Sequence, residues 1–521
     1  MATWNIAAIN NNPFEYWITP PKGDAKKSYE HLMSDVEKFI LCPGDKDVKL
    51  KKVFTHEMFE ELLKHMENVG WEGLGHVRTI WEKDYSERFI ISEFLTDGTI
   101  GKKRLTSMPD RLTNTIGTKD AGNVCRPAVC NCYPGRLSNV KEWWSLWKDF
   151  IFNPKGLLLE TGRKTCETKD KRTPVWQLFT TIKRSKYPAI TEEEEKISIP
   201  LQTLCLALFD AVLVHMINSV SSIETWHPIK IQIANALNMH KNENTIRVLE
   251  QTYSDYDLIC LQEVSNMFLS ELHDSKTLSS NFDLVLPPKL NRRDQNSVLL
   301  LQKSRFSENR IFDLTEEVMK EILSIVGDHG KSPVGDGDIV AAQVSSLMVA
   351  SFHGDTNGLA SIPVVRAVQR VASKRKLRLV FGLDANTHRQ ESKKKQGVTS
   401  FRDMYRDLNI DSCWGKMKII PDSTFNGRTF LQAQLNKSVR SEDMKKARRN
   451  TSYTGSDWLD RNPKDFILFT SEHFKCDYES DTTLDNTGKM KFRENDPIPT
   501  LEFPSDHSIV STTLVENAAA M

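Results

Sequence analysis

The sequence predicts an α/β protein, because its second half alternates short apolar runs with segments of helical periodicity. The apolar runs are bounded by turn residues, which suits strands that are buried on both faces. Two segments between them have the spacing of amphipathic helices, "NTIRVLEQTY" and "IPVVRAVQRVASKRK". The predicted strands are "YDLICLQEV", "NSVLLLQKSRF", "AAQVSSLMVASFHGD", "KLRLVFGLDAN", "KDFILFTS" and "SIVSTTLV".

The region 20–240 has a different pattern and is predicted to form a separate lobe of mixed α and β structure. Its segment "RFIISEFLTDGTIGKKRL" is typical of a β-hairpin, with Asp97 and Gly98 as the turn. Its segment "EWWSLWKDF" places Trp143, Trp147 and Phe150 on one face of a helix. Such an aromatic stripe indicates a core of its own.

Length and composition bound the class of protein. A chain of 521 residues exceeds what one hydrophobic core usually organises, and its net charge of +1 gives no global attraction for polyanions. The apolar stretch from Leu201 to Val220 carries Asp210 near its centre, which favours a buried helix over a membrane span. Nine cysteines in an irregular pattern and an N-terminus without signal-peptide character predict an intracellular protein of the cytoplasm or nucleus.

Polar side chains collect where the predicted strands begin or end, and such strand ends meet at one rim of a sheet. Carboxylate and amide oxygens are the ligands of hard cations such as Mg²⁺ or Mn²⁺, and a histidine beside them can act as base, acid or phosphate donor. The sequence has no G-x-S-x-G, Walker A or G-x-G-x-x-G motif. The pattern therefore indicates metal-assisted hydrolysis at phosphorus. The residues concerned are Glu263, His353, Asp384, Asn386, Asp465, Asp506 and His507.

In this order the motifs resemble the endonuclease/exonuclease/phosphatase superfamily, in its deoxyribonuclease and deadenylase-like branches. The resemblance covers residues 1–17 and about 242–516, so it implies a discontinuous catalytic domain, 1–19 and 241–517, interrupted by an inserted lobe, 20–240. The matching motifs are "TWNIA" with Asn5, "LICLQEV" with Glu263, "SFHGDTN" with His353, "GLDAN" with Asp384 and Asn386, "KDFILF" with Asp465, and "PSDHSIV" with Asp506 and His507.

The resemblance implies a two-sheet α/β sandwich flanked by helices, with the site at the strand-end rim. It also implies a Mg²⁺ (or Mn²⁺) ion and roles for each residue. His507 is expected to act as the base or to donate a hydrogen bond to the phosphate, with Asp465 holding its ring. The implied catalytic set is His353, Asp384, Asn386, Asp465 and His507, and the implied metal set is Asn5, Glu263 and Asp506.

A nuclease acting on RNA or DNA is the expected function. Three basic stretches, "RAVQRVASKRKLR", "HRQESKKKQ" and "KKARR", could neutralise a nucleic-acid backbone, although each could equally be a solvated helix face. The alternatives are a phosphoinositide or sphingolipid phosphohydrolase of the same fold, and a binding module without turnover. The inserted lobe is expected to act as a substrate cap, in which Lys102, Lys103 and Arg104 contact a phosphate chain.

Overall fold

The computed structural model describes residues 1–18, 24–160, 172–291, 294–306, 310–327, 333–433, 439–449, 459–477 and 479–517. The chain divides into two compact units. The first comprises Met1–Ile9, Met239–Asn426 and Lys446–Met521, and the second comprises Asn10–Asn238 and Gly427–Lys445.

The first unit contains two six-stranded sheets, so its architecture is the two-sheet α/β sandwich implied by the resemblance. Each predicted strand of the second half contains a strand, although "NSVLLLQKSRF" leaves the strand at Gln302 and forms the helical turn Lys303–Phe306. The longest run, "AAQVSSLMVASFHGD", folds into two strands with a turn at Ser345. One sheet has the order Thr483–Asp485, Ile509–Ser511, Ala2–Asn5, Leu258–Val264, Asn296–Gln302, Phe282–Val285. The other has the order Ile410–Ser412, Asp465–Thr470, Arg378–Asp384, Leu347–His353, Ile339–Val344, Ile311–Asp313.

Parallel strand pairs bring the motif residues to one end of the sandwich. The N-terminal strand runs parallel to Leu258–Val264, with Asn5 level with Gln262. In the other sheet, Asp384 is level with His353 on a parallel neighbour and with Asp465 on an antiparallel one. The register of three adjacent strands thus sets these three side chains in one row.

The two sheets approach each other closely at Gly382. A Cβ atom on Gly382 would lie 2.7 Å from the Cβ atom of Cys260 in the opposite sheet, so a larger residue has no room there. A short polar link crosses the same interface, since Gln262 Nε2 donates to Thr3 Oγ1 at 3.0 Å and to Ser351 Oγ at 3.0 Å. A dry apolar cluster fills the rest of the space between the sheets.

Helices cover the outer faces of both sheets. The helix Ser361–Lys374 is amphipathic. Its valines, at helical spacing, are buried, and its basic side chains reach solvent. Arg370 and Lys374 both pair with Glu321 of a neighbouring helix. The helices of this unit are Lys241–Thr252, Asn266–Asp274, Lys276–Asn281, Lys303–Phe306, Thr315–Val326, Ser361–Lys374 and Val398–Asp407; Ser441–Arg449 crosses the unit boundary. The remaining short strands are Asn426–Gly427, Leu459–Asp460, Phe474–Lys475 and Val515–Glu516.

The second unit is mainly helical. One antiparallel pair of strands, Thr115–Thr118 with Gly122–Cys125, is present in its described part. Its α-helices are Asp24–Leu41, Leu50–Val53, His56–Asn68, Leu74–Lys83, Gly98–Lys102, Ser107–Thr113, Val140–Phe152, Glu192–Lys196, Ser198–Val220 and Ile223–Ala234. Short 3₁₀ segments, Gly44–Lys46, Tyr85–Glu87 and Val175–Leu178, and π-type segments, Ile90–Leu95 and Asn235–Met239, complete it.

The hairpin predicted around Asp97 is wrong. Residues Ile90–Leu95 form a helical turn, and the Asp97 side chain accepts from Thr99 N as the N-cap of Gly98–Lys102. An Asp-Gly pair suits a hairpin turn and a helix start equally well, and burial of Ile90, Ile91 and Phe94 selected the helix.

The apolar helix Ser198–Val220 is long and apolar enough to cross a membrane by length and composition, and 78% of its most apolar window is buried. Asp210 lies at its centre, where Arg126 Nε donates to its Oδ2 at 2.7 Å. Trp147 Nε1 donates to the same oxygen at 2.9 Å. The carboxylate is therefore a paired core group, and the helix is the buried one that the sequence predicted.

The second unit begins earlier than residue 20 and takes in a later segment, Gly427–Lys445. Backbone pairing explains this, since Trp17 N donates to Gly427 O at 2.9 Å. The indole Nε1 of Trp17 donates to Val439 O at 3.0 Å. Nothing in the spacing of the sequence motifs marks this long-range pairing.

Candidate functional site

Asn5 lies at the centre of the candidate site, fully buried between two carboxylates. Its Nδ2 donates to Asp384 Oδ2 at 2.9 Å and to Glu263 Oε1 at 3.3 Å. Its Oδ1 accepts from Ala7 N at 2.9 Å. Asn5 therefore serves here as a donor that holds two acids together, and its oxygen is already engaged.

Glu263 occupies a bulge at the end of its strand, with a positive φ of 57°. A non-glycine residue in this region is uncommon and is found disproportionately at functional sites. Its Oε2 accepts from Ala8 N at 2.7 Å and from Gln295 Nε2 at 3.3 Å. Burial raises the pKa of the Glu263 carboxyl, but the charge of His353, the Ala8 amide, the charge of His507 and the Asn5 side chain outweigh burial and leave the pKa below its ordinary value.

His353 faces the same two carboxylates as Asn5. Its Nε2 lies 3.4 Å from Glu263 Oε1 and 3.7 Å from Asp384 Oδ2. The side chain retains 19% exposure, whereas Asp384 has none, so His353 lies nearer the solvent side of the group. A ring in this position can reach an anionic group that binds over the carboxylates.

His507 and Asp465 form a directly bonded pair. His507 Nδ1 lies 2.9 Å from Asp465 Oδ2, which also accepts from Ser423 Oγ at 2.5 Å. The other nitrogen, Nε2, lies 3.8 Å from Asp384 Oδ2. Burial lowers the pKa of the His507 imidazole, but the Asp465 and Asp384 carboxylates outweigh burial and raise the pKa to about 10.

Asn386 supports the site from behind. Its backbone N donates to Asp384 Oδ1 at 2.8 Å, and its Nδ2 donates to Gly354 O at 3.0 Å. Its φ of 49° is also in the left-handed region, which asparagine tolerates better than most residues. Both interactions hold the chain directly after Asp384, the last residue of its strand.

Asp506 directly precedes His507 in sequence and is partly buried. Its Oδ2 accepts from Asn426 Nδ2 at 3.4 Å, a long hydrogen bond. Burial and the charge of Glu263 raise the pKa of the Asp506 carboxyl, whereas the charge of His507 opposes that rise. Two acids whose negative charges lie close together are the arrangement that a bound cation would relieve.

Two buried lysines at the site were not identified from the sequence. Lys241 Nζ donates to Ile6 O at 2.6 Å and to Ala7 O at 2.5 Å, which anchors the loop after Asn5. Lys464 Nζ lies 2.6 Å from Asp460 Oδ2. Burial lowers the pKa of Lys464, but the charges of Asp460 and Asp384 outweigh it and raise the pKa above its ordinary value. Lys464 directly precedes Asp465, and that adjacency was the one available signal.

The donor chemistry fits a hard cation. Glu263, Asp384 and Asp506 provide carboxylate oxygens without a thiolate, which suits Mg²⁺ or Mn²⁺. Ligand atoms of Asp384, Asp465 and His507 also lie within 4.8 Å of one another. The direct bond between Asp465 and His507 occupies the facing atoms of both side chains. Asp465 is therefore better placed to orient the His507 ring than to share a metal ion with it.

Lys102, Lys103 and Arg104 belong to the second unit and differ in their surroundings. Lys102 is exposed. Lys103 Nζ lies 2.6 Å from Glu194 Oε1, with side-chain exposures of 17% and 15%. Arg104 Nε is buried without a hydrogen-bond partner within the described residues, and the guanidinium lies 5.8 Å from the Tyr187 ring centroid. The three cations are therefore not equivalent.

A family model described as a domain of unknown function (DUF8234) matches residues 47–231, and no curated protein matches the chain. Solved structures match about half of it. An endonuclease/exonuclease/phosphatase family protein from Bacteroides thetaiotaomicron is 13% identical, covers 55% of this chain and 92% of its own, and has a TM-score of 0.32.

TDP2 from D. rerio, complexed with a single-strand DNA product, is 14% identical, covers 54% of this chain and 96% of its own, and has a TM-score of 0.32. A mannosyl-6-phosphatase from Bacteroides thetaiotaomicron VPI-5482 is 14% identical, covers 54% and 93%, and has a TM-score of 0.31. Likenesses this distant carry no weight by themselves. The sheet order and the meeting of the motif residues at one rim make the first unit a two-sheet α/β sandwich.

Proposed function

We propose that the chain is a divalent-metal-dependent phosphoric ester hydrolase, and specifically a nuclease. The observation that carries the proposal is the clamp of Asn5 Nδ2 on Glu263 and Asp384, with one imidazole on either side. Five strand ends converge on this point, and each contributes a group that binds metal, phosphate or a proton. A site that served only structure would not need two histidines facing buried carboxylates.

Glu263 and Asp506 would hold the cation, with Asp384 close to both histidines. When bound, the cation polarises a phosphoryl oxygen and offsets the charge that develops there. Asn5 fixes the direction of the Glu263 and Asp384 carboxylates through its amide. Lys241 anchors the backbone next to Asn5 from behind, so the clamp is rigid before substrate arrives.

Because its pKa is raised, the His507 ring is protonated at neutral pH. Its Nε2 then donates a hydrogen bond to a non-bridging oxygen of the phosphate. Asp465 holds the ring in that direction through Nδ1. Asp384, which faces Nε2 at 3.8 Å, then accepts the proton of the attacking water. In this mechanism His507 donates a hydrogen bond and Asp384 is the base. The pH dependence of kcat distinguishes it from a mechanism in which His507 is the base.

A nucleic-acid substrate is favoured by the basic loop that follows Asn386. Lys393 and Lys394 are exposed there, a few residues along the chain from the clamp. The basic helix Ser361–Lys374 is a weaker candidate, because Arg370 and Lys374 both pair with Glu321 of the neighbouring helix. Phosphate groups on either side of the scissile one would lie near free lysines. A phosphoinositide or sphingolipid substrate is the alternative.

The test is direct. The purified full chain is incubated with Mg²⁺ and single-stranded RNA, single-stranded DNA, phosphoinositides or sphingomyelin, and the products are resolved. Cleavage of a nucleic acid that is lost in Asp384→Asn and in excess chelator supports the proposal. Cleavage of lipid alone would replace the substrate class, and no turnover with tight binding would indicate a binding module.

A further inference from the structure

We propose that a cavity in the second unit binds an apolar chain that ends in a single carboxylate, as the anion of a fatty acid does. The cavity has a volume of about 560 Å³, within the ~300–1,000 Å³ typical of small-molecule sites. Every described residue that lines it belongs to the second unit. Binding there requires none of the hydrolytic groups of the first unit.

Apolar side chains form most of the cavity wall. Leu41, Phe94, Ile100 and Phe209 line it from four different helical segments, and Phe430 lines it from the later segment of the same unit. Phe94, Ile100 and Phe209 are buried, whereas Leu41 is 50% exposed. A hydrocarbon chain in the cavity would remove apolar surface from water on both the ligand and Leu41, which favours binding of an apolar ligand.

Arg104 provides a positive charge in this apolar wall. Its side chain lines the cavity, and its Nε is buried without a hydrogen-bond partner among the described residues. Its guanidinium forms no ion pair with a carboxylate in that part of the chain. A buried donor without an acceptor costs free energy, and a ligand oxygen would remove that cost. The planar guanidinium can hold both oxygens of one carboxylate through two parallel hydrogen bonds.

The backbone around the cavity has two uncommon conformations. Arg104 has a positive φ of 64°, a region in which residues other than glycine are uncommon and which is found disproportionately at ligand and active sites. Phe94 reaches the cavity from the π-type turn Ile90–Leu95, and π-type turns are also frequent at functional sites. Both conformations occur at residues that line the same cavity, which supports a binding role for it.

The other charged residues of the cavity favour a ligand with one negative charge. Asp97 lines the cavity, but its Oδ2 accepts from Arg88 Nη1 at 2.7 Å and its Oδ1 accepts from Thr99 N at 2.7 Å. Lys102 also lines it and is exposed, so its ammonium remains hydrated. Arg104 is then the partly buried cation of the described lining. A phosphate monoester, with about 1.5 to 2 negative charges at neutral pH, would bring in more charge than Arg104 offsets.

Isothermal titration calorimetry on the full chain tests the charge and the chain of the ligand separately. Decanoate, below its micelle concentration, is compared with 1-decanol, which lacks the charge, and with acetate, which lacks the chain. We expect decanoate to bind roughly tenfold more tightly than decanol, as a hydrogen-bonded ion pair provides, and acetate to bind far more weakly than either. Arg104→Gln should abolish the preference for decanoate over decanol. Arg136→Gln is the matched control, because Arg136 is an exposed arginine of the same unit that pairs with Glu224 outside the cavity.

Leu41→Ser tests the apolar wall and should weaken decanoate binding several-fold, because the chain loses an apolar contact. Leu146→Ser is its control, since Leu146 is an exposed leucine on the helix Val140–Phe152, outside the cavity, and should leave binding unchanged. Thermal unfolding should show all four variants folded. Equal binding of decanoate and decanol by the wild type would overturn the proposal. Tighter binding of decyl phosphate than of decanoate would also overturn it, because the cavity would then select a phosphate head group.

Discussion

The ring of His507 is bonded through Nδ1 to Asp465 Oδ2 at 2.9 Å, and its Nε2 is directed toward Asp384. Asp465 Oδ1 is buried without a hydrogen-bond partner within the described part of the chain, so one carboxylate oxygen carries the whole interaction. Such an arrangement fixes a ring in one orientation and keeps a proton on Nδ1. The consequences can be measured.

His507→Ala should reduce turnover by about a hundredfold or more, the range expected for a positioned proton-transfer or phosphate-donor group. Asp465→Asn should reproduce part of the loss, because a ring without its partner loses its direction. Initial rates at saturating substrate give the comparison. His473→Ala is the control, since His473 bonds Thr470 at the opposite end of the same strand. Near-normal turnover in His507→Ala would remove this residue from the mechanism.

The pH profile distinguishes the two roles of His507. The pKa is raised, so the ring is charged at neutral pH and loses its proton as pH rises through about 10. If the charged ring donates to the phosphate, kcat should be flat near neutrality and fall as pH approaches 10. If the neutral ring acts as base, kcat should instead rise over the same interval. Asp465→Asn should shift either change to lower pH.

The sequence places the proposed site residues at strand ends, but it does not give their geometry. Motif order placed Asp384, Asp465 and His507 at strand ends, and strand register did the rest, because a parallel neighbour sets His353 level with Asp384. The left-handed backbone of Glu263 could not be read from "LICLQEV", since propensity alone disfavours it. It results from a bulge that redirects the side chain toward Asn5.

The missed residues share a physical cause. Lys241 and Lys464 are charged side chains that burial normally excludes, and only tertiary contacts with carbonyls or Asp460 make them stable inside. The hairpin predicted at Asp97 was wrong for a related reason, because an Asp-Gly pair allows both a hairpin turn and a helix cap. Only the Lys241 contacts join residues far apart in sequence; the Lys464–Asp460 pair spans four residues and Asp97 caps its own helix, so burial of the surrounding chain decides those two cases.

Removing the charge of Glu263, a proposed metal ligand, should abolish hydrolysis without unfolding the protein. We expect Glu263→Gln to lose nearly all hydrolysis and to lose the increase in thermal stability that Mg²⁺ gives the wild type, because ligand binding to the native state raises its melting temperature. Differential scanning calorimetry with and without Mg²⁺ measures the second effect independently of turnover. Glu316→Gln, at an exposed position of the helix Thr315–Val326, should behave as wild type. Full activity of the wild type in excess chelator would contradict the metal mechanism.

The charge of Lys464 should matter more than its volume. Lys464→Met retains the length of the side chain but leaves Asp460 without its partner next to the Asp384 carboxylate, so we expect at least a tenfold lower kcat and a lower melting temperature. Lys464→Arg keeps the charge and should recover most of the stability. Rates and thermal unfolding of both variants give the answer. Equal behaviour of the two would show that volume alone is needed.

Lys102 and Lys103 of the second unit should respond differently to charge reversal, because their surroundings differ. Lys102 is exposed at the end of a helix, so Lys102→Glu should weaken binding of long single-stranded substrates and reduce the salt dependence of binding by about one phosphate contact. Cleavage of a dinucleotide should change little by comparison. Fluorescence anisotropy over a range of salt concentrations measures the difference, and an equal loss on short and long substrates would contradict a role in holding the chain.

Lys103 should respond differently, because its ammonium is already paired with Glu194 in a largely buried position. Lys103→Glu sets two carboxylates against each other and should lower the free energy of unfolding by about 1–3 kcal/mol. The exchanged pair Lys103→Glu with Glu194→Lys should restore most of that stability, which urea titration can follow. If Lys103→Glu instead unfolds normally and loses affinity for long substrates as Lys102→Glu does, the ammonium serves the substrate rather than Glu194.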